Sequence, residues 1–314
     1  MKSFELNKDW SNWIKLLAAV LVAVSHYSTV VVINNQWSDS SFLRLLCQGG
    51  YIGVAIFFFF SGYGLMESET KKHLSVTDFF RKRFLKVYLP VLLVSVIWIP
   101  IYYIFVDKND TELNVFTILY DLFWGFRDCV LWFVKILFLL YGLFCIFAHL
   151  LHCQKVFIAH TFIALGTIGA TWLAYHNDFP FISVPLFLLG VWSSNVKSKE
   201  FKGVPLPFLL IMAMVMICGV CFLFNRSADA LHGVVNCAVL AMILCGCNML
   251  KRITPPPLLL SNYLISATYT LYIVHFKVLD LMTSEWGYIS FLSWAVATIV
   301  VTLIITSLRK VLKI

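Results

Sequence analysis

The sequence predicts an all-α, polytopic membrane protein with about ten transmembrane helices, on three observations. Of the 314 residues, 61% are hydrophobic and 13% charged, with a mean hydropathy of +0.86, far outside the range of an ordinary soluble domain. The apolar residues gather into runs that approach the roughly 20 residues needed to cross a bilayer. The cations collect in alternate connections between those runs, as the positive-inside rule requires.

The first run, centred near Ala19, follows the polar stretch "MKSFELNKDWSN" and contains Lys15 and His26. It is full-length and carries no cleavage site, so it is expected to be retained and not removed as a secretory signal. Further runs are centred near Phe58, Val94, Leu140, Ala164, Leu186, Met212, Val239, Tyr269 and Ala297. Little chain is left over, and a single integral-membrane domain over residues 1–314 is expected, with no appended soluble domain.

The formal net charge of +8 does not describe a nucleic-acid surface, because its position follows topology. One set of connections and termini holds Lys2 and Lys8; Lys71, Lys72, Arg81, Lys82, Arg83 and Lys86; Lys155; Lys197, Lys199 and Lys202; Lys251 and Arg252; and Arg309, Lys310 and Lys313. The alternate set holds little beyond Arg44, Lys108, Arg127 and Arg226, often beside Asp107, Asp110, Asp121, Asp128 or Asp229. This pattern predicts a multi-pass protein of the cytoplasmic membrane with both termini inside. Most of the nine cysteines lie in apolar runs, where they act as small hydrophobes. "CGVC", Cys218 to Cys221, lacks a second ligand pair, so no metal site is expected. Cys47 and Cys129 both fall outside and are candidates for pairing.

Lys15 and His26 are eleven residues apart, which returns a helix to within about 20° of its starting direction and separates them by roughly 16 Å along the axis. They therefore share one face of the first span, Lys15 near the cytoplasmic boundary and His26 in the outer half. Lys15 reads equally as a snorkelling interfacial lysine. His26 is either a functional group facing a polar cavity or a structural histidine hydrogen-bonded between helices. In the second span, "GYIGVAIFFFFSGYGL" places Ser61 among glycines and aromatics, which also suits plain close helix packing. Then "TDFFRKRFLKVYLP" sets Arg81, Lys82, Arg83 and Lys86 before the third span, with Pro90 inside it. Such a cluster marks topology and anionic lipid, and it equally equips a polyphosphate site. In the ninth span, Tyr269, Tyr272 and His275 lie on nearby faces, His275 roughly 25 Å along it and close to the outer surface; an interfacial aromatic belt gives the same pattern. Trp132, Phe133 and Lys135 read as belt and snorkel, and His73, His149, His152 and His176 as solvated residues at span ends.

Taken together, these residues resemble acyltransferase family 3, the ten-helix bacterial membrane acyltransferases that decorate surface polysaccharides. Four anchors carry the resemblance. Lys15 to His26 is similar to the family's basic residue, ten residues and histidine. Phe57, Phe58, Ser61 and Gly62 match its Phe-Phe-x-x-Ser-Gly motif. Arg83 and Lys86 ahead of Pro90 resemble its Arg-x-x-Arg pair, and "YTLYIVH", Tyr269 to His275, resembles its Tyr-rich segment ending in His. Lys15 and Lys86 stand where the family commonly has arginine, and a lysine offers a point charge in place of a planar fork.

The resemblance implies an O-acyltransferase that takes its acyl group from cytoplasmic acyl-CoA, with acetyl-CoA the expected donor and no bound cofactor. The implied acceptor is a hydroxyl of a surface polysaccharide or lipid-linked glycan on the other side. His26 is then the general base or acyl carrier, with Lys15 and Ser61 beside the passing thioester arm. Lys15, Arg81, Arg83 and Lys86 would hold the donor, and Tyr272 and His275 the acceptor. Membrane lipid is the remaining partner, and nucleic acid is not one. A transporter or flippase of a polysaccharide precursor also suits ten spans with buried charge, but the ionisable groups concentrate in spans one, two, three and nine without internal symmetry. A non-catalytic subunit of an export complex is the third reading; it leaves Lys15 and His26 freely replaceable.

Overall fold

The computed structural model describes residues 8–33, 41–71, 75–106, 114–120, 132–177, 179–195, 218, 227–249, 261–286 and 290–312. Among them are helices and no strands. The helices are α1 (Lys8–Ile33), α2 (Ser41–Lys71), α3 (Val76–Arg83), α4 (Leu89–Ile101), α5 (Val115–Tyr120), α6 (Trp132–His152), α7 (Val156–His176), α8 (Leu186–Asn195), α9 (Ser227–Met249), α10 (Ser261–Trp286) and α11 (Phe291–Val311). Among the described residues, seven segments are long and apolar enough to cross a membrane: Asp9–Val32, Gly49–Lys71, Val76–Val106, Trp132–His152, Val156–His176, Tyr263–Ser284 and Phe291–Val311. The chain is a multi-pass membrane protein. Each of these seven contains one centre expected from the sequence. The centres at Leu186 and Val239 fall in shorter apolar helices, Phe181–Ser194 and Leu231–Ile243, and Met212 lies outside the described residues. Cys47 carries a free thiol, and Cys129 lies outside the described residues.

The third span is continuous through two π-helical turns, Phe84–Tyr88 and Tyr102–Val106. Pro90 explains the first. It has no N–H for the Lys86 carbonyl, and its ring would clash there in a regular helix. The chain widens instead, with the Leu89 N–H donating to the Phe84 carbonyl five residues back. The second turn follows Pro100, inside α4.

The fold divides into two compact units. Unit 1 comprises Met1–Ala18, Gly49–Thr77 and Lys135–Leu258. Its centre is a close crossing of α2 and α8. Gly62 and Gly190 face the opposing backbone, so a Cβ on Gly62 would collide with the Phe187 carbonyl and one on Gly190 with the Phe59 carbonyl. Small residues let membrane helices approach this closely, where dispersion does the work that water does not. Phe58, Phe59, Phe144, Phe147 and Phe187 fill the surrounding core.

Unit 2 comprises Ala19–Gln48, Asp78–Val134 and Leu259–Ile314. Helices α10 and α11 form an antiparallel pair, since Arg309 near the end of α11 bonds to Ser266 near the start of α10, and Trp294 near the start of α11 bonds to the His275 carbonyl. Ala23, Tyr27 and Val31 of α1 pack with Val278, Leu279 and Met282 of α10 around Trp294, whose indole stacks on Tyr27 with centroids 4.9 Å apart. The third span joins this pair where the Tyr269 hydroxyl donates to the Val87 carbonyl at 2.8 Å.

Candidate active site

The centre of unit 2 holds a histidine pair. His26 Nδ1 lies 2.9 Å from His275 Nε2, joining residues 249 positions apart in the chain. His275 Nδ1 lies 3.1 Å from the Leu271 carbonyl, one turn back on α10. That carbonyl can only accept, so His275 Nδ1 carries a proton and the neutral ring presents Nε2 as an acceptor. His26 Nδ1–H therefore donates to it. The hydrogen bonds assign the lone pair of His26 to Nε2, the atom that a base or nucleophile must use.

The arrangement is fixed by packing. His275 is fully buried and His26 half-buried. The two rings lie 5.1 Å apart and nearly parallel, Phe276 meets His26 edge-on at 5.3 Å, and Tyr272 sits 5.9 Å from His275. Phe133 closes against Tyr272 at 5.4 Å, so Trp132 and Phe133 are buried packing residues and not a lipid-facing belt. The Trp294 indole N–H donates to the His275 carbonyl at 3.3 Å. If His26 Nε2 accepts a proton, the resulting imidazolium is stabilised through Nδ1–H by His275 Nε2, while the proton of His275 stays on its Nδ1, donated to the Leu271 carbonyl. His275 thus orients His26 and supports its charge without taking its proton, the role a carboxylate plays in other triads.

The remaining expected residues separate into two groups. Tyr272, His275, Arg81, Arg83 and Lys86 share unit 2 with His26, whereas Lys15 and Ser61 belong to unit 1. Arg81 and Lys86 are exposed and Arg83 half-buried, its guanidinium 5.6 Å over the Phe79 ring. The Lys15 ammonium lies 5.5 Å over Phe60, the residue before Ser61, which is itself half-buried. One further expectation is corrected. His275 is deeper than the sequence suggested, because α10 continues to Trp286, eleven residues beyond it. His152 is exposed at the end of α6, as expected, and its Nε2 in addition lies 2.7 Å from Glu69 Oε1, where it partners the buried carboxylate. His160, which accepts from the Trp192 indole N–H at 3.2 Å, and Lys277, buried 5.4 Å over Trp98, carried no sequence signal beyond an ionisable residue in an apolar run.

Membrane-spanning helices around an oriented imidazole base suit an integral-membrane enzyme of group transfer. The family model of the acyltransferase 3 family, described as an acyltransferase domain, matches residues 8–309. The chain belongs to that family and is a membrane acyltransferase. It has no match among curated proteins or among solved structures.

A test of the pair follows from its asymmetry. His275→Leu removes the acceptor of the His26 N–H and is expected to lower acyl transfer about 10- to 100-fold, the range for a hydrogen bond to a charged group. His275→Gln, whose side-chain oxygen accepts the same bond, should retain most of the activity. Equal losses in the two variants, measured at matched expression in membranes, would show that His275 only packs.

Proposed function

We propose that the protein is an O-acyltransferase that moves an acyl group, acetyl in the first instance, from acyl-CoA at the cytoplasmic face to a hydroxyl of an extracytoplasmic glycan. The observation that carries this reading is the His26–His275 hydrogen bond, with the Leu271 carbonyl behind it. It leaves His26 Nε2 as the base that deprotonates the attacking hydroxyl, or as the nucleophile that holds the acyl group between two transfers. Arg81, Arg83 and Lys86 are donor-holding cations, Lys15 and Ser61 line the approach of the thioester, and Tyr272 orients the acceptor. The protein works as one domain in the bacterial inner membrane with both termini in the cytoplasm, which places Lys71 to Lys86 beside the donor pool.

Mass spectrometry of surface glycans from cells with and without the gene tests the reaction directly. A loss of 42 Da per acetyl group on one glycan, restored by the gene, is the expected result. Unchanged glycan masses alongside a failure to export a precursor would overturn it in favour of a carrier.

A further inference from the structure

We propose that Arg309 is a phosphate-binding residue of the donor site, set at the end of unit 2 where the third span, α10 and α11 meet. This rests on the acyl-CoA reading above for the source of the phosphate. Arg309 is 5% exposed. Its Nη1 donates to the Ser266 carbonyl at 3.2 Å and to Thr270 Oγ1 at 2.8 Å, and its guanidinium lies 6.0 Å over the Tyr269 ring. Its Nε is buried with no hydrogen-bond partner. Among the described residues no carboxylate pairs with it.

A helix-bridging role accounts for the Nη1 bonds and for nothing else. A permanently charged guanidinium buried without a counter-ion is costly, and the edge bearing Nε is the one that grips a carboxylate or phosphate in a planar fork. The surroundings name the ligand. The hydroxyl of the Tyr269 beneath Arg309 donates to the Val87 carbonyl, next to Lys86 and four residues from Arg83, so the proposed donor cations belong to the same end of the unit. From Arg309 the same face of α11 continues through Thr306, Thr302 and Thr298, all buried with hydroxyls lacking partners. It reaches Trp294, which bonds to His275. The fifteen residues from Arg309 to Trp294 cover roughly 22 Å at 1.5 Å per residue. One helix face thus runs from a buried cation with an unpartnered Nε to the reacting histidines, the order in which acyl-CoA presents its phosphates and its thioester. The headgroup of an anionic phospholipid has the same phosphate chemistry, so the test separates the two sources.

The test uses full-length purified protein in phosphatidylcholine nanodiscs, with CoA and phosphate-free pantetheine as ligands. Arg309→Gln is expected to weaken CoA about 10- to 100-fold and leave pantetheine unchanged. Arg309→Lys, which keeps the charge but not the fork, should fall between, and Thr270→Val should give a smaller loss. Native-like CoA binding by both Arg309 variants, or equal weakening of CoA and pantetheine, would overturn the proposal. Retention of phosphatidylglycerol, followed by native mass spectrometry, is the second arm. If Arg309→Gln loses the lipid and keeps CoA, the phosphate belongs to the bilayer and the donor assignment falls. If the native protein binds no CoA, the acyl-CoA reading fails first, and lipid retention alone decides whether Arg309 holds a phosphate.

Discussion

Replacing His26 by Gln is expected to lower glycan acylation by about 10² to 10⁴, the worth of a positioned general base, while the protein inserts at normal levels. The substitution is chosen for what it preserves. Glutamine can donate an amide N–H to His275 Nε2 in place of the His26 Nδ1–H, so the partner buried in α10 is not orphaned and the packing against Phe276 loses little. What disappears is the lone pair at the other end of the ring. Neither proton abstraction nor an acyl-imidazole survives that loss, so the result holds for both chemical routes. Near-native acylation by His26→Gln at stable expression would end the case for His26 as base or carrier. An acyl-enzyme trapped on His26 after brief exposure to labelled acyl-CoA would separate the two routes.

Gly190→Ala is expected to destabilise the protein by about 3 kcal/mol, at the upper end of ordinary overpacking penalties. The added methyl would meet the Phe59 carbonyl and, at 2.8 Å, the Tyr63 nitrogen, both main-chain atoms of α2 that no rotamer change can move. The two helices would have to part, loosening Phe58, Phe59 and Phe187 together. Gly62→Ala meets the Phe187 carbonyl in the same way and should behave alike. Gly64→Ala is the control: no atom lies within 4 Å of its added carbon, and alanine is the better helix former by about 1 kcal/mol. Thermal unfolding in detergent reads the difference. Equal midpoints for Gly190→Ala and Gly64→Ala would mean that the crossing is not tight.

Some parts of the molecule are written locally in the chain and others are not. Hydropathy is additive over a window, so seven span centres could be read without knowing what each helix touches. Those at Leu186 and Val239 fall in helices whose apolar stretches are short; α8 is enclosed by protein, and an enclosed helix is as apolar as one facing lipid, so composition cannot tell them apart. The site was half legible. His26 and His275 each stand out as imidazoles in apolar runs, but their pairing does not, because nothing local reports that α1 and α10 bring two rings within hydrogen-bonding distance. Arg309 was counted as a topological cation at a span end; the sequence shows its charge and its position, while its burial depends on α10. Gly62 stood next to Ser61 in what looked like a chemical motif, and its demand is steric, imposed by a helix more than a hundred residues later.

The π turn ahead of Pro90 changes what a basic-x-x-basic spacing means. In a regular helix, residues three apart rise on nearly one side, and their charges overlap on a single bound group. Between Arg83 and Lys86 the winding is wider, and the two cations splay: Arg83 leans half-buried on Phe79 while Lys86 stands in the open. Such a pair is a span of two anchorage points rather than one strong one. In the donor site proposed above, it would favour an anion that is itself extended, with charges set apart along its length, over a compact one such as a free phosphate ion. Selectivity of this kind would reside in a backbone irregularity, and a proline fourteen residues after the start of the span at Val76 imposes it.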